Sequence, residues 1–150
     1  MSAITTVYNE LLTRITALLS SHKRLPNPNR IEENVKSLFE IGFAVALGPG
    51  ENTRREFNKL SVRRDMIVTI TRRVFKRETD PTGRADIEKL LFEDQQLLIS
   101  DFEKDGTLGG TICLNTEYDA DGGIDFVYAD KDTFLKLETT FTIEYIEDFN

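Results

Sequence analysis

Chemistry in this chain would have to start from very few groups. It holds one histidine, His22, and one cysteine, Cys113, so no Cys/His zinc site can be built from this chain alone. His22 falls in the polar stretch Ser20-Ser21-His22-Lys23 and reads as solvated. Cys113 lies between Ile112 and Leu114, where a small buried apolar residue is the ordinary role. There is no Gly-Lys-Ser/Thr phosphate loop, no Gly-x-Ser-x-Gly elbow and no His-Glu-x-x-His pair. Gly48-Pro49-Gly50 is too short and proline-bound to cradle a diphosphate.

Two acidic stretches invite comparison with calcium loops. Asp101-Phe102-Glu103-Lys104-Asp105-Gly106 has carboxylates at the first, third and fifth positions and glycine at the sixth. Ile112 then stands where the bidentate glutamate belongs, and a strand pattern follows in place of a helix. Asp119-Ala120-Asp121-Gly122-Gly123-Ile124-Asp125 has the acids but not the glycine at the sixth position. Both read as turns chosen for positive φ and solubility. Asp119, Asp121 and Asp125 are therefore assigned to an acidic surface, and no metal or cofactor is expected. The basic cluster Arg54-Arg55, Arg63-Arg64, Arg72-Arg73, Lys76-Arg77 lacks the interleaved aromatics of a single-strand platform. It reads as a solvated sheet face or a protein contact. No pair of carboxylates is singled out as acid and base, and a non-enzymatic role is expected.

The elements that would position these residues follow from periodicity. Ile4, Val7, Tyr8, Leu11, Leu12, Ile15, Leu18 and Leu19 recur at helical spacing, with Asn9, Glu10, Thr13 and Arg14 on the wet side. Leu25-Pro26-Asn27-Pro28-Asn29 reads as an extended linker. Ser37–Leu47 alternates as a strand, Gly48–Thr53 carries turn residues, and a second strand pattern runs from about Lys59 to Lys76. Glu78–Gly83 reads as a break, and Ile87–Phe102 as a second helix with Asp86 as its N-cap. Three strands then follow: Thr111–Thr116, Ile124–Ala129 and about Thr133 to Asp148, the last with Leu135, Leu137, Thr139, Phe141, Ile143 and Tyr145 on one face. The expected fold is α+β in the order α-β-β-α-β-β-β. Its sheet is mostly antiparallel, both helices pack on one face, and residues 1–150 form one domain.

Composition sets the class. The chain has 150 residues, 39% hydrophobic and 30% charged, the balance of a water-soluble protein. No apolar run approaches the ~20 residues a membrane helix needs, so no membrane partner is expected. The opening Met1–Thr6 lacks the pattern of a secretory signal, and one cysteine suits a reducing compartment. Net charge is −7, but residues 1–85 hold 15 Lys/Arg against 9 Asp/Glu, and residues 86–150 hold 4 against 17. Such polarity suggests faces of opposite sign, unless the fold mixes the halves in space.

Length points to assembly. The Lys59–Lys76 run would span ~55–60 Å at ~3.3 Å per residue, longer than the ~40 Å diameter of a compact chain this size. It must carry a bulge, or a hairpin must project and need a partner. Gly48–Asn58 is the expected contact loop, with Arg54, Arg55, Phe57 and Lys59 as interface residues, because an aromatic flanked by cations is common at interface anchors.

The layout resembles the tail terminator, or tail completion, proteins of long-tailed bacteriophages. The resemblance rests on the opening helix Ile4–Leu19, the Gly48–Thr53 loop, the charged strand through Asp65-Met66-Ile67-Val68-Thr69-Ile70, the helix Ile87–Phe102 and the closing strand Phe134–Tyr145. It implies a ring, commonly a hexamer, that caps the tail tube and joins it to the head connector. DNA passes through the lumen without tight binding, and the site of action is the virion tail, assembled in the host cytoplasm. Other virion rings (a head-closure or neck protein, a tube subunit) or a non-viral binding module are the alternatives. No individual residue role is carried over from the family.

Overall fold

The computed structural model describes residues 2–25, 41–74, 81–106, 113–129 and 132–149. The Pro26–Asn29 linker, the Ser37–Glu40 strand start, Lys76-Arg77 and Thr111-Ile112 lie outside the described residues. The order is α1 (Ala3–Leu18), β1 (Lys23–Arg24), β2 (Ile41–Glu56), β3 (Lys59–Val74), α2 (Pro81–Lys104), β4 (Cys113–Ala129) and β5 (Asp132–Asp148). The fold is thus α+β, with two helices and a five-stranded mixed sheet ordered β1-β2-β3-β5-β4. Among the described residues only the short β1–β2 pair is parallel.

Two departures from the sequence-based order have physical causes. A short strand, β1, precedes β2, because Lys23 and Arg24 pair with Gly42 and Phe43. The described part of the first stretch, 113–116, and the stretch 124–129 belong to one strand, β4, not two. Three extra residues in β4, within Cys113/Asn115, Tyr118/Ala120 and Asp121/Ile124, shift its register against β5 and break its alternation. Gly123, at φ 76°, occupies one of these bulges.

Helix α1 starts at Ser2, whose Oγ accepts from the Thr5 amide at 3.3 Å, as an N-cap should. Its stripe Val7, Leu11, Ile15, with Leu19 just beyond, is fully buried. Helix α2 begins at Pro81, earlier than its apolar spacing suggests, so Asp86 lies inside it and is not its cap. Proline suits the first helical position, where its missing N–H has no partner to lose. The residues 81–83 therefore start the helix instead of breaking the chain.

Strands β3 and β5 form the spine. Every residue from Lys59 to Val74 is in register with one from Asp148 to Thr133, without a shift. Met66, Val68 and Ile70 meet Phe141, Thr139 and Leu137, while Phe43 and Val45 of β2 continue the same row. Both helices send side chains into this cluster: Val7, Leu11 and Ile15 from α1, and Ile87, Leu91 and Leu98 from α2. Phe102 of α2 meets Phe141 edge-on, with ring centroids 5.1 Å apart. On the alternate parity, a smaller cluster joins Leu25, Ala44, Val127 and Phe134.

Sixteen residues of β3 span ~50 Å. The bulges fall on its edge partner β2, within Leu47/Gly50 and Asn52/Arg54. Proline is tolerated there because an edge bulge demands no ladder N–H. The Gly48–Thr53 stretch is accordingly bulged strand and not a loop. Turn and bulge draw on the same residues, Gly and Pro, so composition does not separate them.

Candidate functional site

Between β2 and β3 the chain reverses at Phe57-Asn58, between the paired residues Glu56 and Lys59. Asn58 sits at φ 63°, a left-handed conformation its short polar side chain tolerates. Its carbonyl accepts from the Phe149 amide at 2.8 Å, which fastens the end of the last strand to the tip. Phe57 is 91% exposed and does not fold back on the sheet; Phe149 is 63% exposed. With Arg55, Lys59 and Leu60 they line an open groove of about 470 Å³. The four interface residues read from the sequence thus sit together, but on two strand ends and a two-residue turn. Arg54 pairs with Glu56 at 2.7 Å, and Lys59 reaches Asp148 at 3.9 Å.

The acidic residues are less unified. Asp121 pairs in register with Thr139, on the side of the main core cluster, and Asp125 with Lys136, on the other. Asp119 occupies a bulge and is exposed. Asp121 accepts from the Gly123 amide at 2.9 Å, from Gln95 at 3.2 Å and from the Tyr118 hydroxyl at 3.0 Å. These donors hold its carboxyl below the usual range, the Gly123 amide most of all, and the hydrogen bond from Tyr118 to Asp121 in turn raises the Tyr118 phenol. Asp101 and Asp105, the other acidic stretch, both accept from Arg14 of α1, at 2.6 and 3.3 Å. Arg14 is therefore a link between the helices, not a wet-side residue.

The arginine run of β3 is not one basic face. Arg63 meets Glu144 at 3.7 Å. Arg64 donates to the Gly48 carbonyl at 3.0 Å and to the Tyr145 hydroxyl at 3.3 Å, closing the first bulge of β2. Arg72 points to the core side and grips both oxygens of Asp94 at 2.9 Å.

Asp94 is the centre of a cluster that sequence reasoning missed. His22 Nε2 lies 3.1 Å from Asp94 Oδ2, and both side chains are almost fully buried, at 3% and 7% exposure. His22 is therefore buried, against the solvated reading. Burial alone would push the Asp94 carboxyl up, but hydrogen bonds from His22 and Arg72 outweigh it and hold it below the usual range. A signal for Asp94 existed: it falls in the buried stripe Ile87, Leu91, Leu98, where a carboxylate requires partners. His22 offered none, because its burial depends on contacts 72 residues away. Cys113 is buried as expected, and burial pushes its thiol up, away from nucleophilic use. The His22–Asp94–Arg72 group presents no nucleophile and acts as a pin between the end of α1, α2 and β3. Among the described residues no helix is long and apolar enough to cross a membrane. Comparison with family models and with curated proteins finds no match to this sequence.

Proposed function

We propose that this chain is a structural subunit of a virion, of the tail terminator type. In this reading copies of it close into a ring, a hexamer, that caps the tail tube and receives the head connector. The two helices form one layer over the sheet, and the role is structural and not catalytic. DNA passes through the lumen without tight binding, favoured by the net charge of −7. Assembly takes place in the host cytoplasm, and the ring remains in the virion tail.

One observation carries this reading. The hairpin tip, fixed by three paired strand ends, exposes Phe57 and Phe149 side by side on one groove. Apolar groups held rigidly in water at the end of a long sheet are what an assembly surface requires. Light scattering coupled to size exclusion, with negative-stain imaging, tests it. The expected result is a closed ring several times the 17.1 kDa of one chain, alone or on tail tube. An open polymer would assign the chain to tubes. A monomer that persists in the presence of tube would assign it to binding modules and end the ring reading.

A further inference from the structure

Four aromatic side chains stand exposed along the line where α2 meets the edge strand β4. Tyr118, Phe126 and Tyr128 come from β4, and Phe92 from α2. Tyr118 and Phe126 pair in register with Phe141 and Leu135, and Tyr128 with Thr133, so all three β4 rings share the helix-bearing side. Phe92 stands on the flank of α2 that also carries Arg84 and Gln95, both of which reach β4. Phe126 and Tyr128 stack with centroids 5.9 Å apart and planes 13° from parallel, and Tyr128 is still 73% exposed. The Arg84 guanidinium lies 5.5 Å from the Phe126 centroid, so this surface already receives a cation on an aromatic face. Strand β4 itself carries Glu117, Asp119, Asp121 and Asp125 and no Lys or Arg.

The hairpin tip is the complement of this seam. It offers the exposed ring of Phe57 between Arg54, Arg55 and Lys59, with Glu56 the one acid from Arg54 to Lys59. A copy cannot dock its own tip on its own seam. Tyr128 pairs with Thr133 at one end of β5, and the tip residue Lys59 pairs with Asp148 at the other, ~50 Å away. Backbone pairing between edges is not the mode, because β4 and the stretch of β2 beyond its pairing with β1 are both bulged, and bulges blunt an edge. Side chains must make the contact.

Resting on the ring reading above, we propose that the occupant of the seam is a second copy of this chain. Its hairpin tip enters head to tail, with Phe57 against the stacked pair Phe126 and Tyr128 and Arg55 over the open face of Tyr128, while the acids of β4 attract the cations of the tip. Unlike surfaces repeated around an axis close into a ring when the rotation permits.

The test uses two double variants of the full chain. A tip variant carries Arg55→Glu and Phe57→Ser; a seam variant carries Phe126→Ser and Tyr128→Ser. All four residues are exposed, so thermal midpoints should match wild type. Each variant alone should elute at the mass of one chain. Mixed in equal amounts they should give a species of two chains and no more, since one intact tip then meets one intact seam. Independently, Phe57→Cys with Tyr128→Cys in one chain should cross-link copies on mild oxidation, with Cys113 buried and silent. If wild type forms a ring and either variant keeps that ring, the tip–seam contact is wrong while the ring reading stands. If the mixture stays at one-chain mass, the contact is also wrong. If wild type stays a monomer with tail tube present, both readings fall together.

Discussion

Asp94 occupies a helix position where leucine would cost nothing to bury, and it stays ionised there. A lone carboxylate taken out of water would neutralise itself or unfold its surroundings. Here Arg72 supplies two parallel hydrogen bonds and His22 a third, so the charge is matched on both oxygens. Removing one member leaves the others stranded. We predict that Asp94→Asn lowers unfolding free energy by about 3 kcal/mol, because Arg72 then lacks its counter-charge in a site 15% exposed. The pH dependence follows from the depressed Asp94 value. Its contribution is fully present above the ordinary aspartate value of 3.8 and is lost as pH falls through the lower folded-state value. Urea titrations should therefore give a constant gap between wild type and Asp94→Asn from about pH 5 upward. The gap should narrow below about pH 4, and one that instead widens in acid would remove Asp94 from the role. Residues of this kind are half legible. The polar intrusion into an apolar stripe is visible along the chain, whereas its partners come from distant segments and are not.

At the level of the element, regular strands declare themselves and bulged ones do not. Strand β5 keeps strict alternation, and Leu135, Leu137, Thr139, Phe141, Ile143 and Tyr145 are all buried. Strand β4 carries three extra residues, and its alternation dissolves into what looks like two strands and a loop. Strand β2 hides its bulge behind Gly48-Pro49-Gly50, where Arg64 does the closing. A Cβ built on Gly50 would come within 2.8 Å of the Arg64 guanidinium. Gly50→Ala should therefore displace that side chain from the Gly48 carbonyl and Tyr145 hydroxyl, costing about 1 kcal/mol. In an Arg64→Ala background the same change should cost markedly less. Additive costs in that double-mutant cycle would mean the guanidinium is not what Gly50 accommodates.

For the whole molecule, charge gives the clearest difference between chain and fold. The basic and acidic halves do not become two faces, because the central pair of strands takes one member from each. Arg63 meets Glu144 and Lys59 meets Asp148 across that pair. What survives of the polarity is local: an acidic, aromatic edge at β4 and a cationic, aromatic tip at the hairpin. The tip was legible, because its residues run together from Arg54 to Lys59; the β4 edge was not, because it joins residues of α2 and β4 through contacts that the sequence alone does not supply.

The same central pair governs how the chain reaches this structure. Each hairpin is local, since Glu56 pairs with Lys59 and Ala129 with Asp132. The seam between the hairpins instead joins Lys59 to Asp148, so almost the whole second half of the chain must be drawn in before it closes. Contacts so distant in sequence are reached late and slow the search for the native state. We predict that Val68→Ala, at the middle of that pair, acts mainly by slowing refolding. Ser2→Ala, at the cap of α1, should act mainly by speeding unfolding. Stopped-flow chevrons measure both limbs, and a refolding rate untouched by Val68→Ala would place the closure of β3 on β5 after the barrier.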